Sequence, residues 1–175
     1  MGANRFRFAG VAALVLVAGC GASGSDSGAV RLAAPRPGSE RAAAACRALA
    51  ARLPEKVDGL ARRDVTPKSA YTAAWGKSGD GGHAEVEMRC GVGTPAVLTP
   101  GSATYNPTAD SAAVNGVEWL FEKAGGSGAE RYTTIDRAAE VQVRVAKRGS
   151  AGSSAMVDPL LDFASAVKSA VRSTS

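Results

Sequence analysis

The placement of its cysteines constrains this chain more than any other feature. Three stand at positions 20, 46 and 90. An odd count cannot pair completely within one chain, so one sulfur must have a separate fate. Cys20 closes an apolar N-terminal stretch. Cys46 and Cys90 lie 44 positions apart in sequence of ordinary mixed composition. Aromatic residues make up only 5% of the chain and glycines number 21. The core must therefore be built mostly from Val, Leu and Ala, and a thin core of that kind benefits from a covalent staple.

The first twenty residues read MGANRFRFAGVAALVLVAGC. Arg5 and Arg7 form a charged start, Phe8 to Val17 an apolar run, and Ala18 and Gly19 a pair of small residues before Cys20. This is the layout of a secretory signal peptide. The apolar run is short of the roughly 20 residues a membrane-spanning helix needs. Val17-Ala18-Gly19-Cys20 resembles the bacterial lipobox. Its cysteine sulfur is the nucleophile that forms a thioether with a diacylglyceryl group, and small residues let the peptidase hold the backbone before the cut. The reading is a signal peptide over 1–19 and a lipidated Cys20, held at the outer face of the cytoplasmic membrane. Two acyl chains anchor stably where one holds only reversibly. The rival readings are a chance cysteine in a signal peptide cut elsewhere and an uncleaved anchor.

If Cys20 is lipidated, Cys46 and Cys90 remain as an even pair with one connectivity. An exported compartment lets a disulfide persist. Cys46–Cys90 is expected on that ground, and closing a 44-residue loop is worth about 4 kcal/mol in the chain-entropy model. Two separate buried thiols are the rival reading. Residues 20–39 are rich in Gly, Ser, Ala and Pro and read as the lipidated cysteine followed by a flexible tether. Residues 40–175 are enough for a single domain.

Along that domain, Ser39 to Leu53 has helix-forming composition, with Ser39 as a cap, Pro54 as a stop and Cys46 on the apolar stripe. Residues 54–69 read as a connector and 71–75 as a short strand. His83 to Cys90 alternates, placing Ala84, Val86, Met88 and Cys90 on one side. Residues 102–115 read as loop, 117–121 and 131–135 as strands, and 140–145 as a strand with Val141, Val143 and Val145 inward. The stretch 131–145 reads as a hairpin. Met156 to Val171 closes the chain as a helix, with Asp158 as its cap and Pro159 at its first position. The expected fold is α+β, two-layer: a small antiparallel sheet of four or so strands flanked by an N-terminal and a C-terminal helix.

Several of these landmarks coincide with one known family. They are the lipobox, the Ala-rich helix with Cys46 and Leu53-Pro54, Ala74-Trp75-Gly76, and Arg89-Cys90-Gly91-Val92 followed by Pro95. Gly116-Val117-Glu118-Trp119 joins them, as does Thr133-Thr134 with Arg137 before the valine-alternating strand. Together they resemble the domain of unknown function 3515 family of actinobacterial lipoproteins over residues 40–171. The resemblance implies an envelope location and supplies no activity.

The formal net charge is +5; without Arg5 and Arg7 it is 19 basic against 16 acidic side chains, or +3. That weak bias favours an anionic membrane surface slightly. It is no nucleic-acid footprint, because no basic run carries interleaved aromatics. The single histidine, His83, has no nucleophile elbow to serve. With both domain cysteines committed, no metal site and no cofactor is expected. Glu85 and Glu87 share a strand face, the one arrangement that could serve a small carboxylate-using envelope hydrolase. Arg89, Arg131, Arg137 and Arg144 recur on or beside strands, and if they converge they form a candidate anion-binding surface. The alternative is a salt-bridged polar face shared with Glu85, Glu87, Glu118 and Glu140. The leading reading is a non-enzymatic accessory or binding module. Its partners would be membrane lipid through Cys20 and an envelope protein or cell-wall component.

Overall fold

The structure is a computed structural model, and it describes residue 1 and residues 28–125, 128–147 and 154–174, with side chains of the last helix from Val157 onward. The expected signal peptide 1–19, the lipidation site Cys20 and most of the connector 147–154 lie outside the described residues.

The chain is mostly β. Eight strands form one antiparallel sheet: β2 (Lys56–Val57), β3 (Leu60–Arg63), β5 (Thr72–Gly76), β6 (Val86–Val92), β7 (Ser111–Val114), β8 (Val117–Lys123), β9 (Glu130–Thr134) and β10 (Glu140–Val145). Their order across the sheet is β2-β3-β5-β6-β10-β9-β8-β7. A separate two-stranded parallel pair joins β1 (Val30–Arg31) to β4 (Val65–Thr66). Two α-helices, α1 (Glu40–Ala50) and α2 (Ser154–Ala170), complete the elements among the described residues. The expected α+β sandwich with four or so strands is therefore overturned. The strands it lacked are short, and most arise where composition alone reads as loop.

Three of those missing strands, β2, β3 and β7, owe their place to tight turns. Asp58 and Gly59 join β2 to β3, and Asn115 and Gly116 join β7 to β8, all four with positive φ (48°, 75°, 47° and 76°). Two-residue hairpins of this kind match the right-handed twist of the strands they connect. The hairpin expected over 131–145 forms as β9–β10, with Val143 opposite Tyr132 and Arg144 opposite Arg131. Buried Thr134 supports its turn end, its Oγ1 accepting from Val141 N at 2.9 Å.

α1 starts where Ser39 Oγ accepts from Ala42 N at 3.1 Å, the expected cap. It buries Ala42, Ala43, Cys46 and Leu49. α2 begins at Ser154, so Pro159 lies inside it and Asp158 is not its cap. That corrects the expected boundary. As the sixth residue of the helix, Pro159 lies past the first turn, and its missing N–H forgoes the bond to the carbonyl of residue 155. Leu160, Phe163, Val167 and Val171 of the expected stripe are buried; Met156 has no described side chain.

Both helices pack on one face of the sheet. There Trp75, Val86, Met88, Cys90, Val117, Trp119, Tyr132, Val141 and Val143 are all fully buried. Phe163 of α2 meets Trp75 edge-on at 5.1 Å, and Trp75 Nε1 donates to Pro54 O at 3.0 Å. Cys46 of α1 and Cys90 of β6 form a disulfide across a Cα separation of 5.5 Å. The staple ties the first helix to a central strand, where helix and strand periodicity both turn their sulfurs inward.

Candidate functional site

The other face of the sheet is polar. Antiparallel register lines up Ala74, Glu87, Arg144, Arg131 and Glu122 in one row across β5, β6, β10, β9 and β8. The next row carries Thr72, Arg89, Gln142, Thr133 and Leu120. Residues directly opposite one another in a sheet point to the same side. Three of the four arginines singled out in the sequence, Arg89, Arg131 and Arg144, thus share one face.

The fourth does not join them. Arg137 sits in the turn after β9. Its guanidinium donates to Val171 O at 3.0 Å and to Gly116 O at 3.1 Å. It clamps the end of α2 and the β7–β8 turn to the β9–β10 hairpin. Its role is structural, and sequence spacing alone could not separate it from the other three.

The shared face holds its own counter-charges. Glu87, whose side chain is 16% exposed, faces Arg89 Nη2 at 3.5 Å and Arg144 Nη1 at 3.6 Å. Two guanidiniums on one carboxylate leave one positive charge in excess. Glu122 takes a two-point contact from Arg131, Nε at 3.2 Å and Nη2 at 3.3 Å, the fork geometry that suits guanidinium to carboxylate. Of the four glutamates expected to balance the arginines, Glu85 instead turns to the backbone, accepting from Lys77 N at 3.1 Å. Glu140 faces Thr94 Oγ1 at 3.3 Å.

Residues 28–37 border this polar face. The composition of 21–39 reads as tether, but Val30 and Leu32 are 2% and 1% exposed. Val30 N donates to Asp64 O at 2.8 Å and Leu32 N to Thr66 O at 3.1 Å. At one end of this arm Arg63 Nη2 donates to Gly28 O at 2.7 Å, while Nη1 of the same side chain donates to the Lys77 and His83 carbonyls. At the other end Pro37 closes on Gly91, where a Cβ would lie 2.7 Å from Pro37 Cγ. Only glycine fits there, and its φ of +86° suits glycine as well.

Arm, loop and sheet face enclose a cleft of about 580 Å³. Arg144 and Glu87 form part of its lining, with Arg31, His83 and the Gly81–Gly82 turn. A cleft with one excess guanidinium can receive a carboxylate or phosphate group. Sequence reading missed the arm. The available signal was Val30 and Leu32 at alternate positions, flanked by residues too small to suggest a strand.

One ionisable group on the helix-covered face is strongly perturbed. Burial first, then the hydrogen bond to Glu130 and its charge, push the Tyr132 phenol well above its ordinary range. Its hydroxyl donates to Glu130 Oε2 at 2.6 Å and its ring meets Phe121 edge-on at 5.2 Å. Such a phenol stays neutral and acts as a packing and hydrogen-bonding group. Among the described residues no three His, Cys, Asp or Glu side chains gather to hold a metal ion. No helix among them is long and apolar enough to cross a membrane.

No curated protein and no solved structure matches this chain. The model of one family, described as a protein of unknown function (DUF3515), matches residues 7–175. With its sheet, its helices and its disulfide-bonded cysteines all inside that match, the chain belongs to the DUF3515 family.

Proposed function

We propose that this protein is a lipoprotein held at the outer face of the cytoplasmic membrane through Cys20, and that its domain is a non-enzymatic binding module of the cell envelope. The observation that carries the reading is how the cysteines divide. Cys46 and Cys90 are joined, which leaves Cys20 as the one other cysteine, at the end of a charged, apolar and small-residue sequence. A disulfide in the domain also fits an exported compartment better than a reducing one. The cleft beside Glu87 and Arg144 is the recognition site in this reading. Its excess positive charge suits an anionic group on an envelope protein or a cell-wall component.

The hydrolase alternative needs Glu85 and Glu87 to act as a pair. Glu87 is held between two arginines and Glu85 accepts from the Lys77 backbone. Each carboxylate already has its donors, and that favours a structural use of both.

The anchor is tested with labelled fatty acid in cells producing the protein. The wild-type chain incorporates label and stays with the membrane fraction. Cys20→Ala abolishes both, and label persisting in that variant would refute the reading. In-cell crosslinking from a photoreactive residue placed at exposed His83, on the lining of the same cleft, followed by identification of the captured species, tests the recognition cleft. Capture that is unchanged in Arg144→Glu would place the partner elsewhere.

A further inference from the structure

Arg63 is the residue to which the described chain is pinned where it begins, through Gly28 O. Two further clefts adjoin that point. One, of about 410 Å³, lies among Gly28, Arg62, Arg63 and the Ser78–Gly79 turn. The other, of about 480 Å³, continues past Arg62 and Arg63 to Lys68. Arg31 stands opposite Thr66, two residues before Lys68. The Lys77 carbonyl is one of the acceptors that hold Arg63. Four cationic residues, Arg31, Arg63, Lys68 and Lys77, therefore lie about the place where the chain enters the domain, against Asp64 and Asp80. None of the four has an ion pair among the described residues. Arg62, opposite Trp75 and over its ring at 5.3 Å, turns to the helix-covered face, whereas Arg31, Lys68 and Lys77 are exposed.

We infer that this surface, carried by Arg31, Lys68 and Lys77 around Gly28, docks the domain on anionic lipid headgroups. The inference rests on the lipid anchor proposed above. Eight residue steps separate Cys20 from Gly28. At about 3.3–3.6 Å per step the entry point can stand no more than about 29 Å from the lipidated residue. Because residues 28–37 are packed on the domain, the reach ends there; a tether running on to residue 39 would let the domain tumble farther out. The side of the domain nearest the membrane is thus the side bearing the unpaired cations. Charges of that kind are attracted to an anionic surface over roughly a Debye length, about 8 Å at physiological salt.

The test uses the chain from residue 20 onward with Cys20→Ser, which keeps every element from β1 to α2 and carries no lipid. Binding is measured by sedimentation with phosphatidylcholine vesicles and with equimolar phosphatidylglycerol–phosphatidylcholine vesicles at low salt. The expected result is at least about tenfold stronger partition onto the anionic vesicles, lost on raising the salt. Lys68→Glu with Lys77→Glu, both at exposed positions, should remove that preference. Lys168→Glu with Arg172→Glu makes the same formal charge change at the end of α2, beside the Gly116 turn, and should leave the preference largely in place. Arg63 is left unaltered because it holds the arm. Equal partition onto both vesicles would overturn the inference. So would loss of binding in the α2 variant as large as in the Lys68 and Lys77 variant. Displacement by inorganic phosphate at constant ionic strength would also overturn it, in favour of a discrete phosphate pocket. The measurement does not involve lipidation, so its failure is distinct from failure of the fatty-acid labelling.

Discussion

The two faces of the eight-stranded sheet are held by different physics. On the helix-covered face, Trp75, Met88, Trp119, Tyr132 and the valines of β10 lose all contact with water. A covalent bond from Cys46 to Cys90 fastens α1 to it. On the opposite face Glu87, Arg144, Arg131 and Glu122, with Arg89 in the next row, remain partly in water and are paired at 3.2–3.6 Å. Buried apolar area stabilises at roughly 25 cal/mol per Å², whereas partly exposed ion pairs contribute about 0–1 kcal/mol each. The first face therefore supplies the stability. The second contributes less to stability, and it carries the cleft proposed as a recognition site.

The largest effect should come from the helix-covered face. Trp75→Ala removes the edge-on contact with Phe163 and the bond to Pro54 O. It should cost about 3–5 kcal/mol, read as a lowered midpoint in denaturant. A loss under about 1 kcal/mol would mean that the helices do not pack there. Next comes the staple. Cys46→Ala with Cys90→Ala should cost about 2–4 kcal/mol, and reductant should destabilise the wild-type chain but not the double variant. An equal response of both chains to reductant would sink the pairing.

Much of the helix-covered face was legible in the sequence because it obeys a period. His83 to Cys90 and Glu140 to Val145 alternate, and the α2 stripe recurs at helical spacing, so β6, β10 and α2 follow from pattern alone. The disulfide followed from counting. The sheet's width did not follow, since β2 has two residues and β7 reads Ser-Ala-Ala-Val. No periodicity can be read from two residues or from side chains so small. What remained as signal was turn chemistry, Asp58-Gly59 and Asn115-Gly116, the dipeptides that favour two-residue hairpins. The candidate site was half legible. Arg89, Arg131 and Arg144 share a face because register places them there, and register depends on β6–β10 and β9–β10 pairing that single-strand patterns do not contain. Arg137 was indistinguishable from them until its carbonyl acceptors were seen.

The polar face can be probed through its arm and its carboxylate. Leu32→Ala removes a side chain that is 1% exposed and should cost about 2–3 kcal/mol. The loss should appear first as faster hydrogen exchange at Val30 and Leu32, whose amides bond Asp64 O and Thr66 O, before the sheet core loosens. Simultaneous exchange of arm and core would show that the arm is no separate unit. A smaller effect is expected at the carboxylate. Glu87→Gln leaves Arg89 and Arg144 facing each other without a counter-charge, at a cost of about 1–2 kcal/mol that added salt should reduce. A cost that does not respond to salt would mean that Glu87 is held by packing and not by its charge.

The smallest effect at neutral pH, and the one that changes sign, belongs to Tyr132. Its phenol is raised by burial first and then by Glu130. A group raised on folding contributes stability that is present below its unfolded value, about 10 for tyrosine, and lost as pH climbs toward the folded value. Near pH 8, Tyr132→Phe should cost about 1 kcal/mol by removing the 2.6 Å bond to Glu130. Above about pH 10 the wild-type chain must hold its phenol protonated against the solvent, and the variant carries no such burden. The gap between the two denaturation midpoints should therefore narrow and then invert by about pH 11. A constant gap from pH 8 to 11 would show that the phenol ionises as freely in the fold as outside it. The helix-covered face would then be wetter at β9 than its burial implies.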